Sequence, residues 1–283
     1  MIQINFMLVI GPLFQEYEPC FQTQEPLIHM LYPECVGVLK NVLMRFLKFE
    51  VVSGKSSSTI INIDCGNLDN CKSLKDMDIG PEVCDALSKL DGGRQKGMRT
   101  FYQQVSKHLS KKLPLQESVV KHAHCLHPEI KYQDHAMKMI TQLAVFLPNI
   151  ANENVTKAGD AWNIYREENV EDDVVYDEDS MLKRVDMYWN DILDRKTAAG
   201  ILRYPALKNV VTSCLCLVHG NADVEISLSI NKKILTPERT LMYDATLNSL
   251  RLTRDAVSLY GNATSVLITR KMITFVQGPY TKY

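Results

Sequence analysis

Three groupings in this sequence hold residue types that can do chemistry. His122, His124, Cys125, His127 and Glu129 fall within the run HAHCLHPE. Imidazole and thiolate are good zinc ligands, so this run is the first place to look for a transition metal. Its spacing matches no structural zinc motif, and no second cysteine–histidine pair stands at a matching distance. A loop of exposed histidines ahead of Pro128 explains the run as well, and no metal is expected there. Cys214 and Cys216 with His219 have the types of a thiol nucleophile and its base. Residues two apart on a helix point to different sides, and Cys214 sits in an apolar run. Buried, inert cysteines acting as small hydrophobes are the expectation.

The third grouping is one acid, Glu225, in the stretch HGNADVEISLSINKKILTPERT. On a helix Glu225 neighbours Ser229 and the Gly220-Asn221 turn, while Val224 and Leu228 share another side. A carboxylate in a first helical turn favours the positive end of the dipole, and that alone accounts for it. The sharper reading is a metal-binding acid. In-line displacement with two metals needs several acidic groups to hold ions about 3.5–4 Å apart, so one carboxylate cannot organise it.

Composition narrows the classes further. The chain has 283 residues, 46% hydrophobic and 23% charged, with a net charge of -1. That length supports one large or two ordinary domains with real cores. The charge gives no electrostatic support for DNA as a partner. Eight cysteines without a CxxC spacing read as reduced thiols of an intracellular protein. No apolar run reaches the roughly 18–20 residues that cross a bilayer. The start, MIQINFMLVIGPLF, has no basic n-region and no small-residue cleavage site, so no signal peptide is expected. GxSxG, P-loop and GxGxxG motifs are absent, and Lys111-Lys112 and Lys232-Lys233 read as solvated helix faces.

The elements that must position these residues are helices. Val36, Leu39, Leu43 and Phe46 share one helical face, with Pro33 placed to break or restart that helix. The run SSSTIINIDCGN suggests one short strand or extended segment. Further helices are expected near 81–90, through Met98, Phe101 or Tyr102, Val105 and Leu109, and through Met137, Ile140 and Leu143, ended by Pro148. Residues 166–179 hold eight carboxylates and one arginine, which reads as an exposed loop or hinge and the best internal boundary. Beyond it Ser180 can cap a helix offering Leu182, Val185, Trp189 and Ile192 to a core. YPALKNVVTSCLCLVHG reads as a central buried helix stopped by Gly220. Asn221 can cap the Glu225 helix, and Thr236 with Pro237 opens the last long one, through Leu247, Leu250, Leu252 and Val257.

The segment LCLVHGNADVEISLSINKKILTPERTLMYDATLNSLRLTRDAV resembles the C-terminal dimerisation region of hAT-superfamily transposases and their domesticated relatives. Glu225 falls on that family's glutamate and Ser229 on its serine; Ile226 stands where an arginine is usual, and Leu228 where a phenylalanine is. FQTQEPLIHMLYPECVGVLKNVLMRFLK, CLHPE and RVDMYWNDIL resemble the helical segments before that region, so the likeness runs from about Phe21 to Val257. In the family two aspartates and this glutamate hold divalent metals, with a helical insertion between them. The resemblance implies that this chain begins in or near the insertion, keeps one acid of the three, and lacks the BED-type zinc finger. Asp64 does not match either aspartate.

The resemblance and the periodicity together set the expectations. The fold is mainly α: a helical insertion-type region, then the helical C-terminal portion of an RNase H-like transposase fold, with at most a few short strands. The divisions are 1–165, an acidic linker at 166–179, and a dimerisation region at 180–283. The function is non-catalytic self-association, with no catalytic or metal-binding residue, no cofactor, and Leu228, Leu247, Leu250, Leu252 and Val257 as candidate dimer contacts. One alternative is a C-terminal fragment of a metal-dependent DNA transposase; another is an unrelated helical adaptor. A homodimer, no membrane, and a nuclear or cytoplasmic location, the nucleus by resemblance, complete the expectations.

Overall fold

Apolar residues at three- and four-residue spacing give helices over about two thirds of the chain (66%), and the fold is mainly α. The computed structural model describes residues 2–17, 21–23, 25–88, 93–220, 222–236 and 242–274. Among these there is no sheet; strand pairing is limited to the isolated bridges Leu47–Cys71, Tyr176–Leu182 and Lys196–Leu202. The chain divides into two units, Met1–Ala222 and Asp223–Tyr283.

The larger unit begins with α1 (Ile2–Gln15), α2 (Ile28–Phe46), α3 (Phe49–Val52), α4 (Ser57–Ile61), α5 (Pro81–Ser88) and α6 (Gly93–Lys112). Leu39, Leu43 and Phe46 of α2 are buried as their spacing predicts, together with Cys35, Val38 and Val42; Val36 is only half-buried. Phe46 stacks on Tyr102 of α6 at 5.6 Å, and Phe6 of α1 meets Tyr102 edge-on at 5.5 Å. Tyr102 keeps its hydroxyl satisfied by donating to the Asp78 carbonyl at 2.6 Å, as a buried phenol must. Gly80, at φ 86°, occupies a backbone region closed to most residues, and a Cβ there would run into Val9 of α1.

Two local expectations change here. Pro33 does not break α2, which runs through it. The proline removes one amide donor, and the carbonyl it would have served, four residues back at His29, accepts from His124 Nδ1 at 3.1 Å instead. The SSSTII run is not a strand but the helix α4, because Ser56 caps it: its hydroxyl accepts from the Thr59 amide at 3.3 Å.

The second half of this unit holds α7 (Ser118–Ala123), 3-10 turns at His124–Leu126 and Pro128–Ile130, α8 (Ala136–Phe146), α9 (Asn152–Glu167), α10 (Asp172–Val175), α11 (Val185–Leu193) and α12 (Pro205–Leu215). Its centre is aromatic. Trp162 and Tyr165 of α9 surround Trp189 of α11 at 6.0 and 5.1 Å, and Tyr188 abuts Trp189 at 5.5 Å. Trp189 Nε1 donates to the Leu126 carbonyl at 2.8 Å, so the indole is both buried and satisfied. Tyr165 and Tyr188 share a hydrogen bond between their hydroxyls.

The acidic stretch 166–179 lies inside this unit, whose boundary with the second falls instead after Ala222. Two of its eight carboxylates pair with cations from later in the chain. Glu168 lies 3.4 Å from Arg195 and 3.3 Å from Arg203 and accepts from the Tyr204 hydroxyl; Glu171 pairs with Arg195 at 2.9 Å. Ser180 caps no helix: it sits in a turn at φ 60°, where Asp177 Oδ1 accepts from the Met181 amide at 2.9 Å. Helix α11 starts at Val185 after Arg184, burying Val185, Trp189 and Ile192 and leaving Leu182 exposed. Nor is α12 buried all round. It buries Leu207, Val210, Val211 and Cys214, while Leu217 and Val218 beyond its end are exposed.

The second unit holds α13 (Ala222–Ile234), α14 (Asp244–Leu259) and a 3-10 turn at Ala263–Ser265. The predicted cap Asn221 and the predicted helix opening at Pro237 lie outside the described residues. Arg251 of α14 donates to Ser227 of α13 at 2.9 Å. Among the described residues of this unit none is buried.

Candidate functional site

Glu225 lies in the first turns of α13 with its side chain exposed. Ser227, Ile230, Asn231 and Ile234 are half-buried and recur at helical spacing, so they mark one face of α13. Glu225, Leu228, Ser229 and Lys232 share the opposite face, all exposed. The expected proximity of Glu225 and Ser229 follows from this register. Among the described residues no group of three or more His, Cys, Asp or Glu is arranged to hold a metal ion.

The HAHCLHPE run is pulled apart by its own turns. His122 donates through Nδ1 to the Ser118 carbonyl, 2.7 Å away, and stacks on Phe146; the carbonyl can only accept, so Nδ1 carries the proton. His124 and His127 turn the other way, onto His29 of α2. The His29 and His127 rings are 5.6 Å apart, and those of His124 and His127 are 6.1 Å apart. His29 is missing from the sequence reading because it lies far from the motif, and only the fold brings it near. Burial lowers the His29 imidazole to about 3, with the neighbouring His127 and His124 pressing the same way. His124 and His127 are lowered as well, by burial first. The cluster is therefore a packed set of neutral imidazoles at ordinary pH.

Cysteine chemistry is suppressed where the thiols are deepest. Burial pushes Cys214 up to about 12 and Cys125 well above its ordinary value. Such thiols hold almost no thiolate near neutrality and are poor nucleophiles. His219 packs its ring against Phe21 at 5.9 Å. Lys131 is the one cation among the buried polar residues described, and no motif marks it. It donates to the Glu168 carbonyl and stands over the Tyr165 ring at 4.7 Å; burial lowers its ammonium, against the pull of Glu168. An open cleft of ≈ 720 Å³ in the acidic stretch after Glu168, lined by Asp172, Asp173, Asp177, Glu178 and Lys183 among others, is acidic.

The candidate interface residues separate into three surfaces. Leu228 is on α13 and 55% exposed. Leu247, Leu250 and Val257 share one face of α14, with Leu247 and Val257 half-buried and Leu250 exposed. Leu252 faces another way, 68% exposed, in line with Leu259 at 80%. Leu259 was not among the expected contacts, although its seven-residue distance from Leu252 was legible. Comparison with protein-family models, curated proteins and solved structures returned no match. What the geometry defines is a mainly α-helical protein with a cored helical unit followed by a helical segment whose described residues form no core.

Proposed function

We propose that this chain is a non-catalytic, transposase-derived protein whose C-terminal helices mediate self-association. The observation that carries the reading is the state of α13 and α14. Leu228, Leu250, Leu252 and Leu259 stand exposed on a unit in which no described residue is buried. A helix with an apolar stripe gains most of its stability by packing that stripe, since short isolated helices are marginal in water. Leucines left exposed on several faces of helices that form no core support a surface for association. Each side chain fully covered contributes roughly 1.5–3 kcal/mol, so a few leucines are enough to hold a dimer.

Glu225 enters this reading as an inherited position, matched by resemblance to the family's glutamate, and the nuclear location rests on that resemblance alone. Light scattering of the full chain at micromolar concentration is the test: a dimer mass, reduced by Leu250→Asp, is expected, and a monomer mass is the contrary result. A strand-transfer assay with magnesium or manganese is expected to show no product. Product formation abolished by Glu225→Gln would reverse the assignment to a catalytic fragment.

A further inference from the structure

We propose that His29, His124 and His127 form a latch that holds the 3-10 turns His124–Leu126 and Pro128–Ile130 against α2 at neutral pH and releases them in acid. The inference is independent of the self-association reading and concerns the larger unit alone. The latch joins segments far apart in sequence. His124 Nδ1 donates to the His29 carbonyl at 3.1 Å, and the His127 ring lies 5.6 Å from that of His29 and 6.1 Å from that of His124. Between His124 and His127, Cys125 and Leu126 are fully buried, and Ile130 beyond them is nearly so.

A proton finds no favourable place in this closed arrangement. His29 is 5% exposed, and His127, His124 and His219 all oppose a positive charge on it. The Pro26 carbonyl is the one group that favours that cation. His124 is opposed by His135 as well. Among the described residues the one carboxylate paired with these three rings is Glu129, 4.0 Å from His127 and 67% exposed. One imidazolium therefore makes the next harder to form, because like charges repel strongly where water is excluded. Once the turns lift away, each imidazole takes its own proton in water at about pH 6.5. Opening is thus coupled to more than one proton, and every proton that only the open form binds shifts the balance toward it as pH falls. His29 alone, lowered from 6.5 to about 3, raises the open population about 25-fold between pH 7 and pH 5. His124 and His127, both lowered by burial, add to that.

The test is thiol labelling of the full chain with 4,4′-dithiodipyridine at pH 7 and pH 5. The rate at buried Cys125 is divided by the rate at exposed Cys84, which corrects for the reagent's own pH dependence. This ratio is expected to rise by more than about 25-fold, the share of His29 alone. Cys71, buried where it bridges Leu47, is expected to stay protected at both pH values. His29→Leu and the milder His127→Gln are each expected to cut the rise, with circular dichroism at pH 7 as the folding control. A rise no greater than about 25-fold, a rise that neither substitution alters, or a rise at Cys71 equal to that at Cys125 overturns the latch.

Discussion

His124 Nδ1 donates to the carbonyl of His29 at 3.1 Å, the oxygen that Pro33 leaves without its helical partner. One residue thereby repairs the gap that another makes, and α2 continues through the proline. The bond also fixes the His124 tautomer and joins α2 to the turn at His124–Leu126. Removing the imidazole in His124→Ala leaves that carbonyl unpaired, for a loss of about 1–3 kcal/mol in urea unfolding. Pro33→Ala restores an amide donor in the helix. The His124→Ala loss is expected to shrink in that background, and strictly additive effects would contradict the link.

Acid is expected to destabilise the larger unit through the same cluster. His29 is neutral when folded, its value lowered from 6.5 to about 3 mainly by burial. Between those values the unfolded chain binds the proton and the folded chain does not, so stability rises with pH there. The His29 contribution is complete above pH 6.5 and is lost as pH falls toward 3. Each pH unit inside the window costs about 1.4 kcal/mol for one such group. Thermal melts at pH 7 and pH 5 are expected to show the drop, with a smaller one for His29→Leu. An unchanged slope in that variant would place the acid sensitivity elsewhere.

The aromatic centre predicts an ordered pair of substitutions at Trp189. Trp189→Phe keeps a ring but strands the Leu126 carbonyl, and a loss of about 1–3 kcal/mol is expected. Trp189→Ala also empties the space between Trp162 and Tyr165, for about 3–5 kcal/mol. Chemical denaturation followed by circular dichroism reads both, and equal losses would be contrary to this packing.

Thiol accessibility supplies an independent check of the core. Cys84 and Cys216 are exposed, whereas Cys35, Cys71, Cys125 and Cys214 are buried. Iodoacetamide on the native protein is expected to label the first two quickly and Cys125 and Cys214 only after denaturation, as followed by peptide mass spectrometry. Rapid native labelling of Cys214 would mean that α12 does not pack as described.

Helix periodicity was legible wherever one face carries the core, as with Leu39, Leu43 and Phe46 of α2, or Ile140 and Leu143 of α8. Its limits are physical. Spacing announces a face, but neighbours decide which members are covered, so Val36 yields to Cys35, Val38 and Val42, and Met137 remains exposed. The acidic stretch looked like a boundary because its counterions, Arg195 and Arg203, come from beyond it in sequence. Pro33 looked like a helix breaker because its compensating donor is His124, on a distant turn. Local sequence cannot show a partner of that kind. The histidine cluster was half visible for the same reason: the motif holds His124 and His127, and the fold supplies His29.

We propose that the exposed leucines of α13 and α14 are covered by another copy of the chain. Sedimentation equilibrium of the full wild-type chain, carried from dilute to concentrated solution, measures it most directly. The account predicts a reversible rise from monomer to dimer mass with concentration. A monomer mass maintained across the whole range would contradict it.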